Sequence, residues 1–220
     1  MLGARTTGGA ICARLVAEGW QVSAVARSPE TLRAVRTHGA RPVRADVSDP
    51  DELAQVLTDA TQAQGGLDLV VNALAGPRPP GPFGGGPIAD ADLTTLRRWG
   101  VSVLEQTFVF LHAGAVALGQ AGGGTLIQLT GGSSRHARPG SGPWAAGSFG
   151  SRALVQAAAN ELPEAGIHVA LLIVDGAIEP ADRTELADIA EAVLFLARPG
   201  KLRRPNELQL TRSGEAWRPA

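Results

Sequence analysis

The 220 residues make one domain with a little to spare on the usual figure of roughly 150 residues per domain, enough chain to close a sizeable core. Hydrophobic residues account for 44% and the formal net charge is -1, which excludes the strongly basic footprint of a nucleic-acid binder and fits a soluble globular protein. There is no tyrosine, and of the 20 basic residues only Lys201 is a lysine, so a mechanism built on a phenol acid or a lysine-assisted acid is nearly excluded.

Short runs rich in Val, Ile and Leu alternate with longer segments of helical period, the rhythm of a parallel sheet with crossover helices. In chain order the pattern predicts helix at 8–18, strand at 22–26, helix at 29–38, strand at 41–44, helix at 50–64 and strand at 67–73. Helix follows at 90–118, strand at 125–130, helix at 143–162, strand at 167–174, helix at 185–197 and strand at 207–210. Gly19 is placed to end the first helix, and Ser28-Pro29 and Ser48-Asp49-Pro50 to start the next two. The stretch 76–87 is nearly all Gly and Pro and is expected to be a mobile loop without regular structure. The fold class is therefore α/β, a doubly wound Rossmann-type parallel sheet with helices on both faces, in a single domain over 1–220. Only Met1 and Leu2 precede Gly3, so the first strand is largely missing, and two half-sheets are expected to face an empty slot with unpaired backbone groups.

The lone Cys12 rules out a disulfide framework or a cysteine zinc site; no metal is expected, and a reducing compartment fits. The first residues lack a signal-peptide pattern, and no run approaches the roughly 18 consecutive apolar residues of a membrane span. The expectation is a cytoplasmic protein with no membrane and no nucleic-acid partner.

Gly3-Ala4-Arg5-Thr6-Thr7-Gly8-Gly9 has the composition of a phosphate-binding turn entering a helix N-terminus, where free N–H groups and the helix dipole favour an anion; an ordinary turn and helix start reads the same way. Arg27 falls where the second strand ends, a place for a cation to meet a ribose 2′-phosphate, with Arg5 as a second cation; that pairing selects NADP(H) over NAD. A solvated surface arginine is the alternative. Asp46, beside Val47, is placed either to accept from an adenine amino group or to cap the next helix. Asn72 ends a buried strand at the carboxyl edge, where doubly wound folds bind ligands, or sits in a simple turn there.

Taken together, the glycine turn, Arg27, Asp46-Val47, Asn72-Ala73-Leu74-Ala75-Gly76 and Gly176-Ala177-Ile178 resemble the short-chain dehydrogenase/reductase family over essentially the whole chain. The resemblance implies an oxidoreductase that holds NADP(H) through Gly3, Arg5, Thr6, Gly8, Arg27, Asp46, Val47, Asn72, Ala73 and Ile178. It also implies departures. A threonine, Thr7 or Thr6 according to alignment, stands where the family's turn has its middle glycine. Ser102, Gly131, Trp144 and Ser148 stand where the family's Asn, Ser, Tyr and Lys do its acid–base work, so all four functions are lost and the catalytic residues are unknown. Ser133, Ser134, Arg135 and His136 in the loop after the strand at 125–130, and more weakly His112 and Asp175, are the replacements to consider, with a solvated loop as the alternative. About eight residues separate Ile178 from the next helix, so the family's substrate lid is short or absent. Phe108, Leu111, Ala115, Ala146, Phe149 and Ala153 on the two long helices serve either a helix-pair interface in a homo-oligomer or the core. Two functions stay open: an atypical reductase acting on a small-molecule substrate without a protein acid, and a non-catalytic NADP(H)-binding sensor or partner subunit.

Overall fold

Helix and strand alternate in the computed structural model, which describes residues 1–74, 76, 78–176, 178, 182–198 and 204–211. The elements are α1 (Thr6–Ala17), β1 (Ser23–Ala26), α2 (Pro29–Thr37), β2 (Arg41–Arg44), α3 (Pro50–Gln64), β3 (Leu69–Asn72), α4 (Leu93–Leu96), α5 (Ser102–Ala121), β4 (Gly124–Gly131), α6 (Gly142–Glu161), β5 (Ile167–Asp175), α7 (Arg183–Ala197) and β6 (Glu207–Thr211). Local chemistry sets the ends. Ser28 accepts from the Thr31 N–H to cap α2, and Gly19 after α1 has φ of +85°. Asp49, rather than Ser48, caps α3 by accepting from the N–H groups of Asp51 and Glu52, where the carboxylate also favours the positive end of the helix dipole.

All pairings are parallel, in a two-stranded piece β1-β2 and a four-stranded piece β3-β4-β5-β6. Met1, Leu2 and Gly3 join them. Leu2 N–H donates to Val71 O at 2.8 Å and Leu2 O accepts from Ala73 N–H at 3.0 Å, while on the other side Val25 N–H donates to Met1 O at 2.9 Å and Gly3 N–H to Val25 O at 3.1 Å. The slot expected from the sequence is present below this seam. It is a cavity of about 450 Å³, with Trp20, Gln21, Val22 and Ser23 on one side and Leu67, Asp68, Leu69 and Val70 on the other. Val22 O pairs outward with Arg41, and Asp68 O with Thr125. Because successive residues of a strand address alternate neighbours, the backbone groups of residues 21, 23, 67 and 69 point into the slot. The Met1 amine donates to Ser23 O at 2.9 Å, in the position a ladder N–H would take, and burial pushes its pKa down.

Two apolar layers cover the sheet. On one face Ile11, Cys12 and Leu15 of α1 meet Ile189, Val193 and Leu196 of α7; on the other, Leu53 and Leu57 of α3 meet Phe110, Leu111 and Leu118 of α5 and Val155 of α6. Burial pushes the Cys12 thiol pKa up, consistent with an inert core group. By length and apolar composition the helical stretch Leu93–Ala121 could cross a membrane; here Phe110, Leu111, Gly114 and Leu118 are buried within the domain. Of the six apolar positions expected to serve interface or core, Leu111 is core, while Phe108, Ala146, Phe149 and Ala153 are exposed.

Two departures have a tertiary cause. The single helix expected at 90–118 is broken into α4, a π turn at Arg97–Val101 and α5. Gly100 lies so close to α6 that a Cβ there would be 2.5 Å from Pro143 O, and one on Gly147 would be 2.3 Å from Gly100 O. The π turn thus lets two backbones meet at glycines while burying Trp99. The Gly/Pro stretch, expected to be featureless, carries a 3-10 turn at Phe83–Gly85 and a bridge from Gly86 to Ser141. Gly84, at φ of +83°, has room for no Cβ against Ser141, so the loop docks on the start of α6. Of the short lid expected after Ile178, residues 179–181 lie outside the described residues.

Counted from the bridges of Leu2 to Val25 and to Asn72, both walls of the slot leave room for the same four residues ahead of Met1. Adding an apolar β-forming tetrapeptide there is expected to stabilise the fold by about 2 to 5 kcal/mol through side-chain burial and new ladder hydrogen bonds. Thermal melts check this: an unchanged melting temperature would mean that the slot is not a strand site.

A second prediction concerns His168 on β5. Burial, with the Arg204 charge adding to it, pushes its pKa below the ordinary 6.5; Nε2 lies 3.2 Å from Pro205 O, and Nδ1 is buried with no hydrogen bond of good geometry among the described residues. The unfolded chain binds the proton more readily, so stability is full above pH 6.5 and falls as pH drops below it through the depressed folded pKa. His168→Gln should flatten this loss between pH 7 and 5 in denaturant titrations. The Met1 amine shifts in the same sense, so it is the difference between the two proteins that isolates His168.

Candidate functional site

The carboxyl ends of β3, β4 and β5 open into a cleft of about 690 Å³ that runs from Thr7 at the start of α1 to Trp144 on α6. The glycine turn forms its near end. Gly3 has φ of +79°, and a Cβ on it would be 2.8 Å from Ala73 O; one on Gly8 would be 2.2 Å from Gly3 O. These two glycines allow the first turn of α1 to sit against the end of β3. Arg5 precedes the helix without a side-chain cap, Thr6 is its first residue, and Gly9 N–H already donates to Arg5 O at 2.7 Å. The N–H groups of Thr6, Thr7 and Gly8 precede the first helical bond, which leaves them available to an anion. Thr7, at the contested glycine position, lines the cleft.

The remaining expected cofactor residues fall into three places. Ala73 and Ile178 line the cleft. Arg27 and Asp46 lie outside it at the ends of β1 and β2 and pair with each other, Nη1 to Oδ2 at 3.3 Å, with the Arg27 side chain 77% exposed. Hydrogen bonds from the Ser48 hydroxyl and N–H, and then the charge of Arg27, hold the Asp46 carboxyl below its usual range. The Asp46 N–H donates to Glu52, so this residue shapes the turn into α3 while Asp49 does the capping. The Val47 side chain is buried in the core, leaving its backbone for any ligand contact. Asn72 is buried; its Nδ2 donates to Gln128 Oε1 at 2.9 Å and its Oδ1 accepts from Leu74 N–H at 3.1 Å. It therefore shapes the cleft floor by holding the turn after β3.

At the far end, Gly131 closes β4 with open space around its Cα, the nearest atom to a Cβ being Val174 O at 3.9 Å. Trp144 stacks into an aromatic cluster, its ring centroid 6.0 Å from Trp99 and 5.7 Å from Phe83. Gly76 lies under it, with a Cβ there only 2.8 Å from the indole. Ser148 Oγ donates to Trp144 O, Ser102 Oγ to Arg98 O, and Thr107 Oγ1 to Ser151 Oγ. The loop candidates divide. Ser133 and Asp175 line the cleft, whereas His136 does not. Ser134 is buried, with its hydroxyl bound to Gly131 O. Arg135 turns away to Gln209 and Glu207, and Gln209 Nε2 donates to Asp175. His112 stacks on Phe108 on the exposed face of α5. No group of three or more metal-ligating side chains occurs among the described residues.

Sequence reasoning missed Arg78, Phe83 and Arg138, which the structure brings to the cleft. A signal was available: within 76–87 Arg78 is the one charged residue and Phe83 the one aromatic.

Comparison with known proteins agrees with this geometry. The short chain dehydrogenase family model matches residues 2–187. A short-chain dehydrogenase/reductase of Armillaria gallica is 30% identical over 170 residues, 74% of this chain, and the chain spans 63% of that relative's length. A metagenomic short-chain oxidoreductase solved in complex with NADP is 28% identical at a TM-score of 0.79, covering 97% of this chain and 96% of the other. An alcohol dehydrogenase of Thermococcus sibiricus, solved with 5-hydroxy-NADP, shares the fold at 22% identity and a TM-score of 0.77, covering 96% and 94%. With the glycine turn, the parallel sheet and the cleft at its carboxyl edge in place, the chain belongs to the short-chain dehydrogenase/reductase family.

Proposed function

We propose that the chain binds NADP(H) across the carboxyl edge of its sheet and carries out no acid-assisted carbonyl chemistry there. The observation that carries the cofactor reading is the glycine-built N-terminus of α1, open to the cleft at Thr7, with Arg5 directly before the helix and Arg27, paired with Asp46, at the end of the adjoining β1. Its free N–H groups suit a pyrophosphate, and the two arginines suit a 2′-phosphate. The NADP-bound relative at 28% identity supports the same choice. Thr130, Gly176 and Ile178 line the stretch where a nicotinamide would lie, and when bound the cofactor would supply hydride chemistry. The chain's own part is to hold, orient and shield. Asn72 fixes the floor, and the Trp144, Trp99 and Phe83 rings form an aromatic wall at one end.

Proton transfer is what the cleft lacks. The indole N–H is not a usable acid at neutral pH, Gly131 presents no hydroxyl, and Ser148 brings no charge to lower a neighbour's pKa. This leaves hydride transfer in which substrate or water supplies the proton. The second reading, a cofactor-binding sensor or partner subunit with no turnover, draws on the packing of Trp144, whose ring contacts fill the place an acid would need. NADPH turnover against a panel of carbonyls and quinones favours the first; tight binding without turnover favours the second.

NADPH is expected to bind more tightly than NADH by about ten- to a hundredfold, the worth of one charge-assisted pair of about 1.5 to 3 kcal/mol. Arg27→Asp should narrow or reverse that gap in calorimetry. Equal wild-type affinities would remove the 2′-phosphate assignment.

Ketoreductase and alcohol dehydrogenase activity on generic substrates should be undetectable, since loss of a positioned acid alone costs about 10² to 10⁴ in rate. Single restorations should fail because such groups act as a unit. Gly131→Ser, Trp144→Tyr and Ser148→Lys together form the smallest set worth assaying. Robust carbonyl reduction by the unmodified protein, abolished by His136→Ala, would overturn the proposal.

A further inference from the structure

The outer half of the cleft has its own chemistry. Phe83 stays 59% exposed although it is held on two sides: its ring centroid lies 5.5 Å from Trp99, edge to face, and 5.7 Å from Trp144. Trp99 is buried behind both rings. The loop carrying Phe83 is fixed by glycines, since a Cβ on Gly84 would strike Ser141 at 2.6 Å and one on Gly85 would strike Pro143 at 2.8 Å. An aromatic ring is thus left largely exposed at a ligand cleft by a loop held in place at its glycines.

The charge around it is one-sided. Arg78 lies with its guanidinium carbon 6.0 Å from the Phe83 ring centroid, and Arg138 lines the same cleft from the loop after β4. Among the described residues neither forms an ion pair. The one carboxylate among the cleft-lining residues, Asp175, sits at the opposite, strand-end side against Gly132 and accepts from Gln209. The serine hydroxyls nearest the aromatic wall are committed, Ser141 Oγ to Arg138 O and Ser148 Oγ to Trp144 O. At the aromatic wall a ligand meets a flat apolar surface and two forked cations, and a guanidinium matches a carboxylate in two parallel hydrogen bonds. A cleft of about 690 Å³ is within the ordinary range for a bound small molecule.

We propose that the outer half of the cleft binds an aromatic carboxylate, its ring against Phe83 and Trp144 and its carboxylate between Arg78 and Arg138. The proposal rests on the reading that the inner half takes the nicotinamide end of NADP(H), and it names the class of molecule that would meet it there. The probe is 2-naphthoate, compared by calorimetry with the uncharged 2-naphthylmethanol, in the presence of NADPH. The acid should bind the wild-type protein at least tenfold more tightly than the alcohol. The double variant Arg78→Gln/Arg138→Gln should erase that preference, and Phe83→Ala should weaken both ligands at least threefold. On the wild-type protein alone, raising salt from about 50 to 500 mM should weaken the acid and leave the alcohol unchanged, as screening of a charge contact requires. Equal affinities, a preference that survives in the double variant, or no binding of the acid while NADPH still binds would overturn the proposal and leave the cofactor reading intact. Discrimination between the two probes by a protein that does not bind NADPH would do the reverse.

Discussion

Three residues at the amino end hold the sheet together. The backbone hydrogen bonds of Met1, Leu2 and Gly3 to Val25 on one side and to Val71 and Ala73 on the other connect β1-β2 to β3-β4-β5-β6, and the same residues start the turn into α1. Position of the site and integrity of the sheet therefore have one origin. The turn works because Gly3 and Gly8 carry no Cβ: either side chain would collide with the backbone of Ala73 or of Gly3 itself. Below this seam the ladder stops, and the slot between Ser23 and Leu69 leaves inward-pointing backbone groups and a buried amine where a longer strand would pair.

The rest of the cleft follows from what lies beyond that seam. Asn72 and Gln128 spend their side-chain bonds on each other and on nearby backbone, which fixes the cleft floor. Hydroxyls on α5 and α6 are tied to carbonyls or to one another, so the polar groups near Trp144 serve structure. Arg78 and Arg138 line the cleft, while Arg5 precedes α1 and Arg27, paired with Asp46, lies outside the cleft at the end of β1. The one carboxylate among the described cleft-lining residues, Asp175, lies at the strand ends, where it accepts from Gln209.

Much of this was legible before the structure. Val/Ile/Leu runs marked the central strands β3, β4 and β5 because a parallel sheet is buried on both faces, and Ser28-Pro29 and Asp49-Pro50 marked helix starts because side-chain oxygens satisfy free N–H groups there. The slot between residues 20–23 and 67–70 was legible too, since an unfilled central position in a sheet leaves the neighbouring backbone groups unpaired. What the sequence did not reveal depended on distant partners. The π turn at Arg97–Val101 exists because Gly100 meets α6, and no local pattern announces that contact. The docking of Phe83 beside Trp144 joins residues far apart in sequence across a loop whose composition reads as featureless. Asp46 and Asn72 illustrate a further limit: a strand-end polar residue reads the same in the sequence whether it meets a ligand, secures a turn through bonds such as those to Ser48 and Leu74, or does both.

The central claim is that this family member keeps an NADP(H) site while its cleft holds an aromatic wall in place of an acid. Diffraction from crystals grown with NADP⁺ tests it most directly. The account predicts the pyrophosphate on the N–H groups that open α1, the 2′-phosphate against Arg27 or Arg5, and the nicotinamide between Ile178 and the Trp144 end, with Asp175 still held by Gln209 and no proton donor in reach of its reactive face. A cofactor bound elsewhere, a 2′-phosphate that neither arginine touches, or a titratable side chain such as His136 swung against the nicotinamide would contradict it.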